Sequence, residues 1–211
     1  VQMLIDKGVG KVVMWNDQLT RHMDALDSGF AARLRDAGLT DRLILHWWWY
    51  NNEALNERTR VAIGRDLGLS GWVAPMTCYF NWERYSPTRR NIELMMAMGH
   101  EEGGEGAVAY SVHDPAWADH EMLLASYGWN FAATGSAETN QQLWARACFG
   151  DAAEAVLAAS ADICAAAARP SLARCYYYRY SYCQPDGPWP RPYPGLALDA
   201  IEALRGDSAD E

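Results

Sequence analysis

Four short apolar runs in this chain end in aromatic side chains and a polar or acidic group. They are Val12-Val13-Met14-Trp15-Asn16-Asp17, Leu43-Ile44-Leu45-His46-Trp47-Trp48-Trp49-Tyr50, Met76-Thr77-Cys78-Tyr79-Phe80-Asn81-Trp82 and Ala107-Val108-Ala109-Tyr110-Ser111-Val112-His113-Asp114. A flat aromatic wall beside a carboxylate suits a sugar ring, whose C–H face is apolar and whose hydroxyls need hydrogen-bond partners. The chain holds ten tryptophans, several of them at these run ends, so the first expectation is a carbohydrate site. The residues expected to line it are Trp15, Asp17, Trp48, Tyr50, Tyr79, Trp82, His113 and Asp114.

Each run also has a plainer reading. Trp15 and Asp17 lie two apart and share a side on an extended strand end, so indole and carboxylate can meet one ligand; the alternative is a core Trp followed by a helix-capping Asp. No clear helical pattern follows Asp17 directly, which favours the ligand. Three consecutive indoles cannot all be buried on one face. The period of two pairs Trp48 with Tyr50 and Trp47 with Trp49, and the second pair is expected to pack toward a helix layer, as Trp129 is expected to pack elsewhere. Asn51, Asn52 and Glu53 read as a helix start. Tyr79 serves equally well as pocket wall or core. His113, Asp114, His120 and Glu121 are metal-ligating types, but their spacing matches no His-Glu-x-x-His pair. Hydroxyl-binding carboxylates and a helix start fit them better. Neither a Gly-x-Ser-x-Gly elbow nor a phosphate-binding glycine loop is present, and no cofactor is called for.

The elements that carry these residues follow a regular plan. Strand-like runs start near residues 11, 42, 72 and 106, and the stretches 28–37, 53–68 and 88–99 carry apolar residues at helical intervals, closed by Gly38, Gly68 and Gly99. Strand-helix repetition without alternating polarity implies parallel strands buried on both faces. Pro75 marks a bulge or an early end in the third run. Side chains able to do chemistry recur at every strand C-terminus, as in (β/α)8 TIM barrels. Four units make half of one, so the expected fold class is α/β: the C-terminal half of a (β/α)8 barrel over residues 1–135. Residues 136–211 are expected to form a helical appendage with a Pro- and Tyr-rich segment. Segments 118–134, 137–149 and 151–168 read as helices, and Tyr176 to Tyr180 as packing. Gln2 to Gly8 reads as the last turns of a helix, which places the chain's start inside a longer fold.

Composition bounds the alternatives. A net charge of −9, with Lys7 and Lys11 the only lysines, argues against a nucleic-acid partner, and no run reaches the ~18 apolar residues of a membrane span. The five cysteines form no zinc pattern. They read as scattered, buried thiols, with Cys175 and Cys183 able to pair in an oxidising compartment.

Order and spacing together resemble a known family. Gly10-Lys11-Val12-Val13-Met14-Trp15-Asn16-Asp17 resembles the Gly-Lys-x-x-x-Trp-x-Asp strand of family 20 glycoside hydrolases, the β-N-acetylhexosaminidases. Leu45 to Tyr50 resembles the Trp-x-Tyr strand of its bacterial branch. Gly71 to Pro87 resembles the next strand with its aromatic loop. Gly106 to Glu121 with Tyr127-Gly128-Trp129-Asn130 resembles the final strand and the helix behind it. The resemblance covers residues 3–135. It implies a retaining, substrate-assisted hydrolase on a (β/α)8 barrel, acting on a terminal N-acetylhexosaminide, with a catalytic Asp–Glu pair upstream of Val1. Trp15, Trp48, Tyr79 and Trp82 would wall the sugar and its acetamido group, and Asp17 and Asp114 would hold hydroxyls. Ser111-Val112-His113-Asp114 departs from the family's Trp-Gly-Asp at the last strand, which leaves a different sugar specificity, or a non-catalytic carbohydrate-binding barrel, as the alternatives.

Overall fold

In the computed structural model the described residues are 1–50, 54–77, 89–109 and 117–167. The chain forms two compact units, residues 1–78 with 88–144 and residues 79–87 with 145–211. The first holds a four-stranded sheet: β1 (Val12–Trp15), β2 (Leu43–Trp48), β3 (Ser70–Ala74) and β4 (Gly106–Ala107). The spatial order is β1-β2-β3-β4 and every pairing is parallel. Register aligns Trp15 with His46, His46 with Trp72, and Trp72 with Gly106.

A parallel pair needs a crossover, and right-twisted strands make that crossover right-handed. When strand order also follows chain order, each crossover helix falls on the same side. The core shows the result. Leu43, Leu45 and Trp47 of β2 and Val73 of β3 pack with Leu34 of α2 (Ser28–Asp36) and Val61 of α3 (Val61–Asp66). Ile92 and Met95 of α4 (Arg89–Glu102) and Leu123 of α5 (Ala118–Thr134) complete that layer. Ile44, His46, Trp48 and Trp72 lie on the opposite face by the period of two, and none of them belongs to this core.

Close approach of helices to the sheet is bought with missing side chains. A Cβ on Gly64 of α3 would sit 2.9 Å from the Trp47 ring, one on Gly71 of β3 would sit 2.9 Å from Trp47 Nε1, and one on Gly99 of α4 would sit 2.8 Å from Val73. Gly99 was expected to end its helix. Instead α4 continues to Glu102 and turns at Gly103 (φ 81°). Gly38 and Gly68 do end their helices in the left-handed region, at φ 66° and 76°.

Two further expectations change. The helix foreseen across 53–68 is only Val61–Asp66, because Asn56 organises the preceding turn, accepting from Arg58 N through Oδ1 and from Thr59 N through its carbonyl. The start of α3 is capped from a distance: Glu102 accepts from Ala62 N (2.9 Å) and pairs with Arg60, locking α3 to α4. Trp129, expected to pack, is 92% exposed. One residue later Asn130 breaks α5 (φ −153°, ψ 89°) and accepts from Ala133 N.

The second unit's described part is helical: the end of α6 (Ala137–Phe149), a 3-10 turn (Gly150–Ala152) and α7 (Ala153–Ala167). Cys148, expected buried, is exposed. Cys175, Cys183 and the tyrosine cluster lie outside the described residues, as do Asn51 to Glu53. Among the described residues no helix is long and apolar enough to cross a membrane.

Candidate functional site

The C-terminal ends of β1 and β2 are knitted together by Asn16. Fully buried, it donates from its main chain to His46 O (3.1 Å) and accepts from Trp48 N at Oδ1 (3.4 Å). Its Nδ2 donates to Thr20 Oγ1, and Thr20 Oγ1 donates to Asn16 O, both at 3.1 Å. A buried amide costs stability unless its groups are paired; here the pairing fixes where Trp15 and Trp48 emerge.

The rings that emerge form one cluster. Trp15 stacks at a tilt on His46 (centroids 4.6 Å) and meets Trp48 edge to face (6.0 Å), and Trp48 lies 4.9 Å from Tyr50. The pairing of Trp48 with Tyr50 is the one the strand period implies. Trp15 keeps 44% of its surface exposed. Trp47 takes the opposite, fully buried position, and Trp49 Nε1 donates to Ala54 O (3.0 Å) against the helix layer.

Asp17 departs from its expected geometry. Its backbone is already helical (φ −58°, ψ −34°) because a single π-helical turn, Gln18–His22, starts there. The alternation of the strand therefore stops at Trp15 and does not carry Asp17 to the same side. The Asp17 carboxylate does not cap the turn; it faces Arg21 Nη2 at 3.8 Å and His22 Nε2 at 3.6 Å.

Arg21 and His46 are the site residues that strand-end reasoning passed over. The Arg21 guanidinium lies over Trp48, 4.1 Å from the ring centroid, and 5.5 Å from that of Trp49, a cation–π arrangement. Its Nε and Nη2 atoms are buried without a hydrogen-bond partner. His46 is buried, and its Nε2 lies 2.9 Å from Val108 O. A carbonyl only accepts, so Nε2 carries the proton and Nδ1 is the free acceptor. Burial lowers the His46 pKa below 6.5, against the opposing pull of the Val108 carbonyl, so the ring is neutral at pH 7. The period of two from Trp48 pointed to His46; nothing in the linear pattern pointed to Arg21.

A second polar cluster lies where β3's end meets α4 and α5. Arg89 Nη1 donates to Asp119 Oδ2 (2.9 Å), which also accepts from Gln141 Nε2 (3.2 Å). His120 stacks on Trp117 (5.1 Å) and lies 3.5 Å from Arg89 Nη1. Burial, joined by the Arg89 charge, lowers the His120 pKa to about 4 against the pull of Asp119 and a hydrogen bond with the Thr77 main chain. Asn91 supports the same end from inside α4, donating to Trp49 O (2.7 Å) and accepting from Met76 N (2.8 Å).

The structure thus brings together Trp15, Trp48 and Tyr50, with Asp17 beside Arg21. Tyr79, Trp82, His113 and Asp114 lie outside the described residues. Among the described residues no group of three or more His, Cys, Asp or Glu is arranged to hold a metal ion. Comparison with family models, with curated proteins and with solved structures returns no match to this chain.

Proposed function

We propose that this chain is the C-terminal half of a (β/α)8 glycoside hydrolase that removes terminal β-N-acetylhexosamine by a substrate-assisted, retaining mechanism. The observation that carries the reading is the aromatic cluster of Trp15, His46, Trp48 and Tyr50 at the C-terminal ends of two adjacent parallel strands, the end at which barrels build their sites. A strand order that follows chain order, with the helical core on one face, supports the barrel over a doubly wound sheet, whose order reverses at a switch point.

In this reading Trp15 and Trp48 wall the sugar, Tyr50 continues the wall, and neutral His46 offers Nδ1 to a hydroxyl or amide proton. Arg21 and Asp17 sit at the rim. Tyr79, Trp82, His113 and Asp114 keep the substrate-binding roles that the family resemblance gives them. The substrate's 2-acetamido oxygen is the nucleophile, and the orienting Asp and the acid Glu come from strands ahead of Val1, so this chain alone binds without hydrolysing. That chemistry is an exception to the usual two-carboxylate scheme.

The test has two arms. Calorimetric titration of the 211-residue chain is expected to show N-acetylglucosamine binding more tightly than glucose, with the difference lost in Trp48→Ala. A longer protein that includes the upstream strands is expected to cleave a chromogenic aryl N-acetyl-β-glucosaminide and to be inhibited by a thiazoline mimic. Cleavage of a plain glucoside with none of any 2-acetamido sugar refutes the assignment.

A further inference from the structure

One face of the Trp48 indole is already covered. The Arg21 guanidinium lies 4.1 Å from the ring centroid, which is van der Waals contact and leaves no room for a sugar between them. Trp48 also meets Trp15 edge to face at 6.0 Å and Tyr50 at 4.9 Å. Those two rings stand on short stems with two rotatable bonds, at or just past the ends of β1 and β2. Arg21 is held differently. Its main chain is fixed, because it belongs to the π turn Gln18–His22 and follows Thr20, which is buried and bonded twice to Asn16. Its head is not. Nε and Nη2 are buried without a hydrogen-bond partner, and the Asp17 carboxylate stands 3.8 Å from Nη2, beyond hydrogen-bond reach. Just past the π turn, Asp24 takes a left-handed conformation (φ 49°). Single π turns and left-handed residues other than glycine both concentrate at functional sites.

We infer that Arg21 is a displaceable cover on Trp48: an incoming sugar ring takes the place of the guanidinium, and Asp17 receives the guanidinium. The inference rests on the sugar-wall reading above and deepens it by naming the residue that controls access to the wall. In the covered state the cation–π contact is favourable, but two N–H groups stay buried without acceptors, so the two effects oppose each other. Between substrates the planar guanidinium shields an apolar ring face from water. In the open state the C–H face of the sugar does so instead. Asp17 lies four residues back, and that spacing lets its carboxylate accept a guanidinium that has left the ring. The pair then gains the charge-assisted hydrogen bond that 3.8 Å denies it in the covered state. Asp17 thus acts through Arg21, as a positioning residue. His22 Nε2, 3.6 Å from the same Asp17 oxygen, lies on the far side of the exchange from Trp48 in sequence and holds no hydrogen bond to it that must first break.

The experiment is a calorimetric titration of N-acetylglucosamine into the 211-residue chain, Arg21→Ala, Asp17→Asn and the double variant. Arg21→Ala is expected to bind about two- to fivefold more tightly than the native chain, because no cation–π contact has to be broken. Asp17→Asn is expected to weaken binding about threefold in the native background and to have no effect in Arg21→Ala. A carboxylate that held a sugar hydroxyl directly would weaken both backgrounds alike. The Arg21 Nε–H resonance, assigned by its loss in Arg21→Ala, is expected to lie upfield in the ring current of Trp48 and to move back on saturation with the sugar. Unchanged or weaker binding by Arg21→Ala, an equal Asp17→Asn loss in both backgrounds, or an Nε–H signal that saturating sugar leaves in place overturns the inference and leaves the sugar wall standing. Binding to none of the chains, the uncovered Arg21→Ala included, refutes the wall itself and the cover with it.

Discussion

On the helix side of β2, Trp47 is fully enclosed, with Gly64 and Gly71 cut away to admit its ring. One residue later and on the opposite side, Trp48 meets the rings of Trp15 and Tyr50 and the guanidinium of Arg21. The same residue type sits in two kinds of surroundings. Around Trp47 the neighbours have been reduced to hydrogen atoms, which is what a fixed packing partner requires. Around Trp48 they are aromatic, cationic and part-exposed, which suits the sugar-binding role proposed for it.

The largest break in this comparison is Trp47→Ala. Losing the whole indole from an enclosed site is expected to cost about 3–5 kcal/mol of unfolding free energy, read by urea denaturation. Gly64→Ala attacks the same contact from the other side and is expected to cost about 1–3 kcal/mol, because the helix must shift to clear a ring at 2.9 Å. Trp47 Nε1 is buried without a hydrogen-bond partner, so Trp47→Phe, which removes that unpaired donor, is expected to be much milder than Trp47→Ala. Equal losses for Trp47→Ala and Trp48→Ala erase the distinction between the two faces.

The two buried histidines sharpen it next. His46 lies on the open face and His120 under Trp117, and burial lowers both pKa values. A folded pKa below the unfolded 6.5 means that the unfolded chain binds the proton more readily. The stability each neutral ring allows is therefore complete above pH 6.5 and lost as pH falls toward the folded value. For His120, between 6.5 and about 4, the loss is about 3 kcal/mol. Between pH 6.5 and about 4, the unfolding free energy from urea melts is expected to fall by about 3 kcal/mol more in the native chain than in His120→Phe. If Asp119 instead held His120 as a cation, stability would rise on acidification, and the sign of the slope decides.

Much of the sheet was legible because short apolar runs recur at intervals of about 30 residues with helical patterns between them, and the observed strands start at residues 12, 43, 70 and 106. The period of two placed Trp47 and Trp48 correctly on opposite faces. It failed at Asp17, where the chain turns helical one residue past Asn16, and no linear pattern announces a five-residue π turn. Gly99 misled for a different reason. A glycine that relieves a contact with Val73 has the same letter as one that ends a helix, and only the three-dimensional neighbour tells them apart. Trp129 was expected to pack, but the helix breaks one residue later at Asn130 and the ring is exposed. Arg89, Asp119 and Gln141 come together from three separate segments, a convergence that local spacing does not encode.

The smallest expected effect on stability is at Arg21, and it tests what the open face is for. Arg21 lies over Trp48 and pairs only distantly with Asp17, at 3.8 Å. The cation–π contact stabilises by about 0.5–1 kcal/mol, while the burial of Nε and Nη2 without a hydrogen-bond partner works against it. Arg21→Ala is therefore expected to change unfolding free energy by no more than about 1 kcal/mol. The change at the ring should be plain by contrast. With the guanidinium gone, one face of Trp48 is uncovered, and acrylamide should quench tryptophan emission more strongly in the variant. Because emission reports on every indole, the comparison is made against Trp48→Ala with and without Arg21→Ala, where the added quenching should vanish. A loss of several kcal/mol on removing Arg21 would instead make it a structural strut, and the rim of the site would then be as fixed as the packing around Trp47.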